Sequence, residues 1–120
     1  MSNLANAWDG ALVRRWLESR LIAARRDQAV ADKQGYKAQD DYDKAAAEEW
    51  VCKVLTATNH IDDHAAFGLQ IKELVAQNEY PATSVHDDRR FERHVRAHLR
   101  KIAKMAKVNE GFANTLRYQG

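Results

Sequence analysis

Phe91, Val95, Leu99, Ile102 and Ala106 recur at intervals of 4, 4, 3 and 4 residues. That is the repeat of one face of an α-helix, and similar spacing runs through most of the chain. No segment alternates apolar and polar residues as a half-buried strand would, and the sequence carries no internal repeat. One proline and five glycines in 120 residues leave few breakers. The pattern predicts an all-α fold: a small helical bundle with a long N-terminal helix, built as one domain over residues 1–120.

Four helices are expected. The first covers about residues 9–33, with Asp9 as N-cap or an earlier start at Asn3 or Asn6. Trp8, Leu12, Trp16 and Arg20 fall on one line of it, and Val13, Leu17, Leu21 and Ala24 on the next. Gly35 either ends this helix or is a soft point within a longer one. The second covers about residues 40–58. Asp40, Asp41 and Asp43 crowd its first turn, where the helix dipole favours negative charge, and Ala47, Trp50, Val51, Val54 and Leu55 form its buried face. The third covers about residues 63–77, capped by Asp62 or Asp63, and buries Phe67, Ile71, Leu74 and Val75, with Leu69 on another side. Residues 78–86, with Pro81, form the clear loop. The fourth covers about residues 87–108 and stops at Asn109–Glu110–Gly111, before a short tail docked by Phe112 and Leu116. Two long apolar stripes are much for so small a bundle to cover. A second copy burying about 800 Å² per partner would cover them, so a homodimer is expected.

Composition excludes several classes. The single Cys52 rules out an intramolecular disulfide framework and a zinc finger, and fits a reducing compartment. No apolar run approaches the ~18 residues of a membrane span. Residues 1–10 lack the basic start and greasy stretch of a signal peptide, so an intracellular protein is expected.

Candidate chemical sites are sparse. His60 and His64, and His94 and His98, stand one turn apart. Neither pair has the intervening Glu of a metalloprotease helix, and no Cys cluster completes a site, so no metal is expected. Cys52, beside Trp50 and Val51, reads as core. The sequence has no glycine-rich phosphate loop and no serine elbow, so neither a cofactor nor enzymatic activity is expected.

Charge is unevenly distributed. Residues 32–50 hold three Lys and six acids, whereas residues 81–120 hold nine basic residues and four acids. The carboxylates Asp40, Asp41, Asp43, Glu48 and Glu49 read as a solvated helix face and cap. Arg89, Arg93, Arg96, Arg100 and Lys104, with Arg90, Lys101 and Lys107, surround the apolar stripe of the fourth helix. Such a helix could neutralise phosphates, or it could be balanced by the acidic middle of the fold.

Asp87–Asp88–Arg89–Arg90–Phe91, then Val95, His98–Leu99–Arg100 and Ile102, give D-D-x-x-F-x-x-x-φ-x-x-H-φ-R-x-φ, with φ apolar. This resembles the C-terminal helix of the phage lambda Gam family of host-nuclease inhibitors. His64, Leu69, Ile71 and Leu74 are similar in spacing to that family's preceding helix, so the likeness covers roughly residues 64–106. The loop at 78–86 is a few residues shorter than the family's.

The resemblance implies an all-helical dimer in the host cytoplasm that binds the RecBCD helicase–nuclease and blocks its DNA-binding channel, partly with acidic surface standing in for phosphate. It implies architectural roles for Asp87, Asp88, Phe91, His98 and Arg100: Asp88 caps the helix, Phe91 fills the core and His98 hydrogen-bonds across helices. The partner surface would lie on the first helix, with Arg14 and Arg15, and on Asp40, Asp41, Asp43, Glu48 and Glu49. The chain departs from this picture in its net charge of +2 and its arginine-rich first helix. Two alternatives follow: a small helical nucleic-acid-binding protein using Arg89, Arg93, Arg96, Arg100 and Lys104, or an anti-CRISPR-type inhibitor of another defence complex.

Overall fold

The computed structural model describes residues 8–81 and 85–107; the expected stop at 109–111 and the tail at 112–118 lie outside them. The described residues are all-α, with no strand among them. They form α1 (Gly10–Gln34), a 3-10 turn (Gly35–Ala38), α2 (Gln39–Thr56), a second 3-10 turn (His60–Asp62), α3 (His64–Ala76) and α4 (Asp88–Lys107).

Local chemistry sets these boundaries. The Asp9 carboxylate accepts from the Leu12 N–H at 3.1 Å and starts α1. Gly35 has φ of 77°, in the left-handed region that suits glycine, and its N–H donates to the Asp32 carbonyl. The long helix therefore ends at Gly35, and α2 turns back to pack along α1. The Asp63 carboxylate accepts from the Ala66 N–H at 3.1 Å and starts α3. At α4 the cap is Asp87 rather than Asp88: its carboxylate accepts from the Arg90 N–H at 3.0 Å, and Asp88 is the first helical residue.

Side chains from a neighbouring helix and from the loop after α3 close the other ends. Arg14 of α1 donates to the Thr56 and Thr58 carbonyls at 2.9 and 3.2 Å. These carbonyls lie at and just beyond the end of α2, where helical partners run out. The Tyr80 hydroxyl donates to the Leu74 carbonyl at 2.6 Å and does the same for α3. Gly10 lets α1 press against the second 3-10 turn, since a Cβ there would lie 2.7 Å from the Ile61 carbonyl oxygen. The Trp8 indole N–H donates to that same oxygen at 2.7 Å.

The core is organised around α2, which packs on α1 and on α4, while α3 packs on α4. Ala47, Val51 and Leu55 of α2 meet Val13 and Leu17 of α1, Phe67 of α3, and Phe91, Val95 and Leu99 of α4, all of them buried. Each such Val, Leu or Phe contributes roughly 1.5–3 kcal/mol by leaving water. Val13, Trp16, Leu17 and Ala24 are all covered within one chain. Trp8, Leu12 and Leu21 of the same stripe stay half-buried at the edge of the core.

Candidate functional site

The charged residues of α2 and α4 divide into a seam between the helices and an outward row. Asp43 is the centre of the seam. Its carboxylate is fully buried and accepts from four donors: the backbone N–H groups of His86 and Asp87 at 2.9 and 3.1 Å, and Nε and Nη2 of Arg90 at 3.0 and 2.8 Å. Its hydrogen bonds to Arg90 raise the pKa of that guanidinium. An acid read from sequence as surface is thus the residue that holds the start of α4 against α2. Asp43 precedes Ala47, Val51 and Leu55 by successive steps of four, so its place on the buried line was readable.

The same seam continues one and two turns along α4. Asp40 accepts from Nε2 of His94 at 3.0 Å and lies 3.5 Å from Arg90, and the bond to His94 lowers its pKa. His98 donates from Nε2 to the Lys44 carbonyl at 3.1 Å, and burial lowers its pKa. Arg90, His94 and His98 therefore form an i, i+4, i+8 line, and α2 supplies every partner.

On its other side α2 neutralises α1. Arg20 grips Glu48 through two nitrogens at 2.9 and 3.0 Å. Hydrogen bonding to Glu48 raises the pKa of Arg20. Glu49 accepts from Arg25 at 2.8 Å and from Gln28 at 3.1 Å. Burial pushes the Glu49 pKa up, but those two hydrogen bonds and the charges of Lys53 and Arg25 outweigh it, and the net shift is down. Of the five acids proposed as partner surface, Asp40, Asp43, Glu48 and Glu49 face internal cations, and Asp41 alone is exposed without an ion pair among the described residues. Arg14 is likewise turned inward onto the end of α2, whereas Arg15 is exposed.

The outer face of α4 is different. At 100° per residue, Arg89, Arg93, Arg100 and Lys104 fall within an arc of about 60° on a row about 22 Å long. All four are exposed and make no ion pair among the described residues. Arg96 belongs to the same face, but its guanidinium donates to the Val75 and Gln77 carbonyls at 3.4 and 2.8 Å and lies 5.1 Å from the centre of the Tyr80 ring. Glu92, half-buried, borders the row on the α3 side.

The remaining candidates are structural. His64 stacks on Trp8 at 4.4 Å between ring centres, and its Nε2 donates to the Ala106 carbonyl. His60 sits in the second 3-10 turn. No group of three or more His, Cys, Asp or Glu among the described residues is arranged to hold a metal ion. Cys52 is buried, and burial pushes its thiol up to about 12, far from a reactive thiolate. A cleft of about 420 Å³ opens between α1, α2 and α4. Asp41, Lys44 and Lys101 line its rim, with the Arg20–Glu48 pair and His98 also in its wall. No helix among the described residues is long and apolar enough to cross a membrane.

Compared with known proteins, the chain matches no family model, and no curated protein or solved structure is significantly similar to it.

Proposed function

We propose that the chain is a Gam-like inhibitor of a host DNA-end-processing nuclease of the RecBCD kind. It acts in the host cytoplasm as a dimer, blocks a DNA-entry channel and performs no reaction itself. The supporting observation is the α2–α4 seam. Phe91 is buried and His98 bonds across to α2, the roles that the resemblance implies for them, and the Asp–Asp pair stands at the start of α4 with Asp87 as the cap.

The internal pairing of the acids favours a different contact surface. Four of the five acids already face internal cations, so phosphate mimicry by that patch has little charge left to offer. The exposed apolar residues of α1 and of the turn that follows it suit a protein partner better. Ile22 is 68% exposed and Val30 51%, both on α1, and Tyr36, 78% exposed, follows in the adjoining turn. Apolar and aromatic groups of this kind are the usual anchors of an interface. The 25-residue α1 carries Ile22 and Val30 on a rigid rod about 37 Å long.

Titration of the chain into a RecBCD digest of linear duplex DNA, with DNA ends in excess over enzyme, tests the reading. Degradation should stop near one inhibitor assembly per enzyme. Ile22→Asp with Val30→Asp should weaken inhibition while leaving helicity unchanged. Undiminished degradation at a large excess of the chain would refute it, as would inhibition that scales with DNA ends instead of enzyme.

A further inference from the structure

We infer that the outer face of α4 is a docking surface for the phosphate backbone of duplex DNA, engaged without reading sequence. Arg89, Arg93, Arg100 and Lys104 present four exposed cations in a straight row with no acid within its arc. Asp87 and Asp40 lie within electrostatic reach of Arg89 and Arg93, and Glu92 borders the row, but none forms an ion pair with it; Asp43 and Asp40 pair with Arg90 and His94, and Glu48 and Glu49 with Arg20 and Arg25. The apolar residues of α4 lie on the far side of the helix and fill the core, so the row is fixed on a rigid element.

The chemistry of the face selects this occupant. Large exposed apolar residues among the described part of the chain are Ile22, Val30, Tyr36 and Leu69, and none lies on α4. A protein interface wants such an anchor at its centre, and single-stranded nucleic acid wants aromatic groups for stacking. A bare cationic row about 22 Å long instead faces a duplex that carries one phosphate charge per ~1.7 Å of axis. Four phosphate contacts predict a log–log salt slope of about −3 to −4.

Fluorescence anisotropy of a labelled duplex of about 20 base pairs tests this without any nuclease, so its outcome is independent of the inhibitor reading. Affinity should fall roughly 100-fold between about 50 and about 200 mM salt. Arg89→Gln, Arg93→Gln, Arg100→Gln and Lys104→Gln together should abolish binding, with an unchanged urea midpoint or a slightly higher one showing that the fold is intact. A control carrying Lys33→Gln, Lys37→Gln and Lys72→Gln, exposed lysines on other elements, should stay within about twofold of the parent. Three results would overturn the inference: no duplex binding at the lower salt, a salt-independent affinity, or equal loss in the control. If the duplex is not bound but the four-residue variant loses nuclease inhibition, the row meets an acidic protein surface and the DNA assignment is wrong.

Discussion

α4 carries two lines of basic residues with opposite fates. Arg90, His94 and His98 face α2, and each finds an acceptor there: Asp43, Asp40 and the Lys44 carbonyl. Arg89, Arg93, Arg100 and Lys104, on the same helix and in the same register of threes and fours, find none among the described residues. Both lines are basic, although the seam carries two histidines and the row none. Which way each points decides whether its charge holds the fold together or remains for a partner.

Removing the centre of the seam is the strongest way to break this contrast. Asp43→Ala strands Arg90 and two backbone N–H groups and should cost roughly 2–3 kcal/mol. That is less than the full cost of breaking a wholly buried pair, because Arg90 keeps partial access to water. A fall in Tm on the order of 10 °C is expected, and a change of only a few degrees would mean that the seam is not a stabilising element.

Arg96 stands between the two lines, on the outer face by position but bonded to the end of α3. Arg96→Gln should therefore cost about 1 kcal/mol in urea unfolding, through the lost carbonyl contacts and the Tyr80 stack. No loss would place Arg96 with the outward row.

The seam should also carry the pH dependence. Burial lowers the pKa of His98 in the folded state, so the unfolded chain binds a proton first as pH falls. His98 therefore lowers stability progressively below the ordinary histidine value, until the folded-state pKa is reached. Asp40, lowered by His94, acts at more acidic pH: its contribution is present above the ordinary carboxylate value and lost as pH falls through the lowered one. Urea midpoints at about pH 7.5 and about pH 5.5 should differ in the parent and converge in His98→Gln, which keeps a donor for Lys44 but does not titrate. An unchanged difference would assign the acid sensitivity elsewhere.

The outward row should matter least to folding. Each single change to Gln at Arg89, Arg93, Arg100 or Lys104 should move stability by less than about 0.5 kcal/mol. All four together should raise it slightly, because Arg89 with Arg93 and Arg100 with Lys104 are like charges one turn apart. A substantial loss would reveal a structural partner for the row.

Much of this was legible beforehand. The apolar steps from Phe91 to Ala106 set α4, and the sequence narrowed the starts of α1 and α3 to a few candidate caps, of which Asp9 and Asp63 make the capping hydrogen bonds. The acidic run from Asp40 to Glu49 misled, because its composition resembles a solvated helix face. Asp43 shares the buried line of Ala47, Val51 and Leu55, but a carboxylate there is stable only if donors arrive from another element. Those donors, His86 N–H, Asp87 N–H and Arg90, come from more than forty residues away.

The sequence by itself determined the helices, their apolar faces and the basic stripe on α4, since these depend on spacing within one element. The tertiary structure alone decided which charges cancel. Pairing depends on distance in space, and only the packing of α2 between α1 and α4 brings its acids onto Arg20, Arg25, Arg90 and His94 while leaving the far side of α4 unmatched.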